Sequence, residues 1–173
     1  MKNKYSQLFL ISNILIILDQ VTKFWITLHI PRHYSISVVE GFFNLTHIRN
    51  PGVAFGLFAS HESEYKVLFF VVTSLIAIIA ILIIFHQSPE NKKAARIGLI
   101  LIFSGAVGNL IDRIVFKEVI DFLDFFYNGF HWPAFNIADS CITIGVSFMM
   151  YDLFFGYPEK RNISNPSNKS EQL

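Results

Sequence analysis

The chain has 173 residues, 53% of them hydrophobic and only 16% charged, with 19 Phe. That is too apolar for a soluble domain of this size and fits a small polytopic membrane protein, mainly α-helical. A formal net charge of +1 without any long basic run argues against nucleic acid, and the single cysteine, Cys141, excludes an intrachain disulfide or cysteine-built zinc site and reads as a small packed residue.

The N-terminal Met1-Lys2-Asn3-Lys4 followed by "LFLISNILIIL" has the look of a secretory signal. No A-x-A-like cleavage site follows, and the run continues through "DQVTKFWITLHI", so it reads as an uncleaved first span over about 7–29. Asp19 lies about 18 Å into that helix, past its midpoint, and Lys23 follows at i+4 with the acid N-terminal to the base. An ionisable group near a membrane helix centre costs roughly 2.5 kcal/mol or more, so the pair needs a reason, either locking a bundle or building a site.

The connection over 30–65 alternates in "YSISVVEGFFNLTHI" and predicts short strands at the membrane surface, with a short interfacial helix or amphipathic turn around 59–65. It presents Arg49 and Asn50 in "IRNPGVAFG". Its phenylalanines, including Phe42, Phe43, Phe55 and Phe58, would form a lid or serve as interfacial anchors. Second and third spans follow over about 66–86 and 94–111. The third carries Ser104, Gly105, Ala106 and Gly108, small residues that let helix backbones approach, and so belongs inside a bundle. It ends in "GAVGNLIDR", with Asn109 and Asp112 on one face and Arg113 four residues from Asn109; Asp112-Arg113 also reads as a surface pair at a helix end.

In the connection over 112–136, "VIDFLDFF" suits a strand in which Asp121 points opposite to Ile120 and Phe122, with Asp124 on the other face. The fourth span, about 137–157, opens in "FNIAD", where Asn136 and Asp139 also have the spacing of a helix N-cap and its acidic third residue. From Pro158 the chain is polar and rich in Asn and Ser, composition that predicts disorder. Lys2, Lys4, Lys92, Lys93, Arg96, Lys160, Arg161 and Lys169 fall on one side of the spans against six other cations, and three of them crowd the short 87–96 loop. Both termini are therefore expected to be cytoplasmic, with a disordered tail over 158–173. The expected fold is one four-helix membrane domain over 1–157 with a small extracytoplasmic β-rich cradle. Its polar residues meet just inside the outer leaflet.

Two carboxylates sharing a proton can activate water and polarise a carbonyl, and Asp139 at a helix N-terminus is favoured in its ionised form, as base, with Asp121 as acid. Other chemistries lack their residues. There is no G-x-S-x-G, "HESEY" lacks a second His, D-[ST]-G is absent, and the six His are scattered, with His47 and His131 reading as interfacial hydrogen-bonders. A proton-coupled carrier would distribute polar groups through the bilayer to the cytoplasmic side, and Asp152 is the only carboxylate within the inner half of the spans. A purely structural assembly factor would lose stability rather than activity on Asp→Asn exchange.

Taken together, "DQVTK" (19–23), "NLTHIRNPGVAFGLF" (44–58), "GAVGNLIDR" (105–113), "VIDF" (119–122) and "FNIADSCITIG" (135–145) closely resemble bacterial lipoprotein signal peptidase, or signal peptidase II. The motifs run in the family's order from the first span to the end of the fourth. The resemblance implies that Asp121 and Asp139 are the catalytic aspartates, and that Asp19, Lys23, Asn50, Asn109, Asp112, Arg113 and Asn136 shape the site and hold substrate backbone. It also implies cleavage of diacylglyceryl-modified prolipoproteins on the amino side of the lipidated cysteine, at the outer face of the bacterial inner membrane. No metal or organic cofactor is implied. Membrane lipid and globomycin-type cyclic peptides are the other expected partners of a chain acting as a monomer.

Overall fold

The computed structural model describes residues 4–52, 64–89 and 91–155. Along the chain these form α1 (Lys4–His29), β1 (Ser35–Val39), β2 (Phe43–Asn50), α2 (Glu64–Gln87), α3 (Lys93–Phe116), β3 (Val119–Tyr127), β4 (Phe130–His131) and α4 (Ile137–Phe155). Phe55, Phe58, nearly all of the turn expected around 59–65 and the tail from Pro158 lie outside the described residues.

All four helices are long and apolar enough to cross a membrane. At about 1.5 Å per residue the 24 residues of α3 reach some 36 Å, more than the hydrocarbon thickness. This helix extends past the expected 94–111, because Asn109, Asp112 and Arg113 find partners and need not leave it. It stops at Lys117, whose left-handed φ of 64° turns the chain and whose N–H donates to Arg113 O. α3 is the central helix: α1, α2 and α4 all pack on it, and its small residues set how close they come. A Cβ built on Gly98 would meet Gly145 O at 2.6 Å, and one built on Gly145 would meet Gly98 O at the same distance. The α3 and α4 backbones therefore touch where neither carries a side chain. By contrast α2 packs Ile81 and Phe85 against Leu99 and Ile100 of α3 and leaves most of its aliphatic surface exposed, as a face toward lipid would be.

The strands form one antiparallel sheet in the order β1-β2-β3-β4 at one end of the bundle. Ile120 and Phe122 of β3 pack on Ile26 and Ile30 at the end of α1, seating the sheet on the helices. The β2–β3 register slips between Leu45 and Ile48, and the resulting bulge leaves Ile48 opposite Asp121 and Asn50 opposite Val119. Phe42, half-exposed, and Phe43 lie at the start of β2. Both rings pack on Phe125, which in turn stacks on Phe135.

Candidate active site

The polar residues of five segments, α1, β2, α3, β3 and the start of α4, meet at the sheet end of the bundle, and Lys23 is their hub. Its ammonium is 1% exposed and lies 2.8 Å from Asp19 Oδ2 and 2.9 Å from Asp112 Oδ2. It also donates to Asn109 Oδ1 at 3.1 Å. The i,i+4 pair in α1 is thus one arm of a larger ionic network. Asp112 faces this interior, fully buried, rather than forming a surface pair with Arg113.

Each carboxylate of the network also grips backbone next to an aspartate of interest. Asp19 Oδ1 accepts the Ala138 N–H at 2.9 Å, one residue before Asp139. Asp112 Oδ2 accepts the Ile120 N–H at 3.1 Å, one residue before Asp121. Gly108 makes room for this, since a Cβ there would sit 2.7 Å from Asp19 Oδ2. Gln20 closes the network by donating to Asp112 Oδ1 at 3.0 Å, Asp19 Oδ2 at 3.2 Å and Gly108 O at 3.2 Å. Sequence reasoning passed over Gln20, although a polar residue beside Asp19 in an apolar run is itself a signal.

Two asparagines carry the network to Asp121 and Asp139. Asn136, fully buried, donates to Asp121 Oδ1 at 2.8 Å and to Asn109 Oδ1 at 3.2 Å, while its own Oδ1 accepts the Asp139 N–H at 2.8 Å. Asn109 Nδ2 donates to Asp139 Oδ1 at 2.7 Å. Asp139 Oδ2 returns a contact to the Asn136 N–H at 3.3 Å, so the helix cap and the carboxylate cluster are one arrangement. Asn50 on β2 donates to Asp121 Oδ2 at 3.0 Å and caps its loop by accepting the Gly52 N–H.

The two aspartates differ in setting. Asp121, on the central strand, is 2% exposed, and burial pushes its carboxyl up to about 6, with repulsion from Asp139 adding to the rise against the hydrogen bond from Asn50. Asp139 is only partly buried, at the first turn of α4. Arg113 donates to Asn109 O at 3.1 Å and lies over the Phe70 ring, with its centre 5.6 Å away.

Asp124 stands apart, taken up by Asn44 Nδ2 at 3.1 Å and His131 Nδ1 at 2.8 Å. His47 bonds Ile30 O and accepts from Arg49, so both histidines take part in hydrogen bonds at this end of the bundle. Among the described residues no cluster of His, Cys, Asp and Glu is arranged to hold a metal ion.

The profile described as Signal peptidase (SPase) II, peptidase family A8, matches residues 11–155, which span every residue of this cluster. The chain belongs to the signal peptidase II family. A lipoprotein signal peptidase of Desulforapulum autotrophicum is 49% identical over 149 residues, which is 86% of this chain and 92% of that one. Another, from Syntrophus aciditrophicus, is 47% identical over 154 residues, 88% of this chain and 96% of its own length. Two solved structures described as a bacterial membrane enzyme align with TM-scores of 0.75 and 0.76 at 34% and 35% identity. They cover 97% and 88% of this chain, and 94% and 95% of theirs. Signal peptidase II membership gives the chain its activity: it is an aspartic peptidase that cleaves prolipoprotein signal peptides, built as a multi-pass bacterial membrane protein.

Proposed function

We propose that Asp121 and Asp139 form the catalytic pair, and that the substrate is a diacylglyceryl-modified prolipoprotein cut on the amino side of its lipidated cysteine. The observation that carries this reading is the asymmetry of the pair: a buried carboxyl raised to about 6 and a partly exposed one, joined through Asn136 and Asn109. Asp139, ionised, takes a proton from water as the water oxygen attacks the scissile carbonyl carbon. Asp121, protonated, donates to the carbonyl oxygen as negative charge develops there. On collapse the C–N bond breaks, the proton held by Asp139 passes to the leaving nitrogen, and Asp121 recovers its own. The two carboxyls supply both acid and base, so the reaction calls for no metal or organic cofactor.

The surrounding residues fall into two groups. Asp19, Lys23 and Asp112 fix the backbone beside each aspartate, and Asn109 and Asn136 fix the carboxylates themselves. Asn50 and Arg113 border the pair and are suited to holding substrate backbone. We place the four spans as one inner-membrane domain with both termini cytoplasmic and the pair near the outer leaflet, from the cation bias of the loops. A substrate carrying two acyl chains then approaches sideways from surrounding membrane lipid, to an enzyme acting as a monomer. Globomycin-type cyclic peptides would compete for the same site.

The test is cleavage by purified protein of one prolipoprotein with and without its diacylglyceryl group, with products identified by mass spectrometry. The reading requires a cut immediately before the lipidated cysteine and little or no cutting of the unmodified form. Equal cutting of both forms, or a cut elsewhere, would overturn the substrate assignment.

A further inference from the structure

At the end of the bundle remote from the sheet, α3 begins in an unusual electrostatic setting. A helix N-terminus presents unpaired N–H groups and partial positive charge, and is normally met by an acid or a capping side chain. α3 has neither: its N-cap Lys92 makes no side-chain cap, no acid lies in its first turn, and Lys93 and Arg96 add further positive charge. Arg96 Nε is buried without a partner among the described residues, a costly state for a guanidinium nitrogen. Lys4, which could have dispersed elsewhere, is committed to the end of α2, donating to His86 O at 2.7 Å.

Beside these cations lies an apolar recess. α2 and α4 both pack on α3, and a groove lined by all three helices runs between them over the α3 surface. At this end it widens to a cavity of about 410 Å³ walled by Ile84, Leu99, Met149 and Leu153. Lys92 and Asp152 stand at its mouth, 3.6 Å apart and partly exposed, a loose contact that leaves Lys92 with donors to spare.

Lys92 at the rim of an apolar slot, with Lys93 and Arg96 following it in the first turn of α3, matches an amphiphile with an anionic head. We propose that this end of the bundle binds one anionic phospholipid, with an acyl chain in the α2–α4 groove and its phosphate on Lys92, Lys93 and Arg96. The phosphate would supply the anion that α3 lacks and a partner for the Arg96 side chain. With the orientation proposed above, this is the leaflet whose surface is negatively charged. The site is a bilayer's width from Asp121 and Asp139, so it acts on the stability of the bundle rather than on chemistry.

The experiment compares purified protein in lipid-free detergent with the same protein given phosphatidylglycerol or phosphatidylcholine of equal chain length. It reads melting temperature and, by native mass spectrometry, the number of lipids retained. Phosphatidylglycerol should raise Tm by roughly 5 °C or more at saturation and be retained at one per chain, with phosphatidylcholine doing much less. Both the K92Q/K93Q/R96Q variant and Ala95→Phe, which fills the groove and leaves the cations alone, should lose most of that rise. Equal responses to the two lipids, or a full phosphatidylglycerol response in both variants, would overturn the proposal.

Three further outcomes would assign the groove elsewhere. If it instead takes the basic start of a signal peptide, Asp152→Asn raises KM in lipid-free detergent and K92Q/K93Q/R96Q lowers it; the lipid reading predicts neither change. A Tm lowered by Glu90→Gln, with no lipid response in the parent, would give the anion to the adjacent loop. A lipid-dependent dimer in light scattering would mean that a second copy covers the groove.

Discussion

Replacing Lys23 by Met isolates what its buried ammonium contributes. Two carboxylates, Asp19 and Asp112, lie 2.8 and 2.9 Å from Nζ and are essentially unexposed, so the substitution leaves both without their cation. At that distance and an effective dielectric near 20 each attraction is about 6 kcal/mol, most of it offset by the cost of removing three charges from water. The measurable loss on breaking such a network from one side is about 3–5 kcal/mol, which for a chain of this length lowers Tm on the order of 10 °C. Cys141 provides the assay: as the only cysteine, and buried, it reacts with a fluorogenic maleimide only when the bundle opens. Neutralising the stranded acids should return much of the loss, so K23M/D19N/D112N is expected to melt well above K23M. The reasoning fails if K23M melts within about 3 °C of the parent, or if the triple variant is no more stable than K23M.

Other consequences follow from the same contacts. Asp121 must hold its proton to act as acid, so kcat/KM should fall as pH rises through about 6; Asn50→Ala removes a bond that favours the ionised form and should move that limb to higher pH, and a limb that moved down would contradict it. Gln20→Leu should lower kcat about ten-fold with KM little changed, because Asp112 Oδ1 loses its donor and the Ile120 backbone its firm anchor; a change in KM alone would mean that Gln20 touches substrate. Gly145→Leu should destabilise by about 2–3 kcal/mol in the maleimide assay, since its Cβ would meet Gly98 O at 2.6 Å and Ile102 Cγ1 at 2.7 Å, and an unchanged Tm would refute the close α3–α4 contact.

Much of this molecule is written locally. Apolar runs of spanning length give the four helices, the alternation in "YSISVVEGFFNLTHI" and the aliphatic and aromatic content of "VIDFLDFF" give strands, and the i,i+4 spacing of Asp19 and Lys23 gives their pairing. Asn136 and Asp139 satisfy both a capping pattern and a clustered-carboxylate pattern because the structure uses them for both at once. What the sequence leaves out depends on pairings across long separations. Adjacency to Arg113 hides that Asp112 turns to Lys23, 89 positions back in the chain, because neighbours on a helix point about 100° apart. The reach of α3 beyond residue 111 depends on the same partners, which exist only once α1 and β3 are in place. The bulge in β2 that sets Ile48 opposite Asp121 has no local signature, and Gln20 gains meaning only from the acids that converge on it.

The central claim is that Asp121 and Asp139 together activate water. Its most direct test is cleavage of a diacylglyceryl-modified prolipoprotein by Asp121→Asn and by Asp139→Asn, each checked for folding by Cys141 protection and for globomycin binding. The account predicts that both variants stay folded, still bind globomycin, and lose cleavage. Cleavage at a rate near the parent's by either folded variant would contradict it, and would leave Asp139 as the cap of α4 alone.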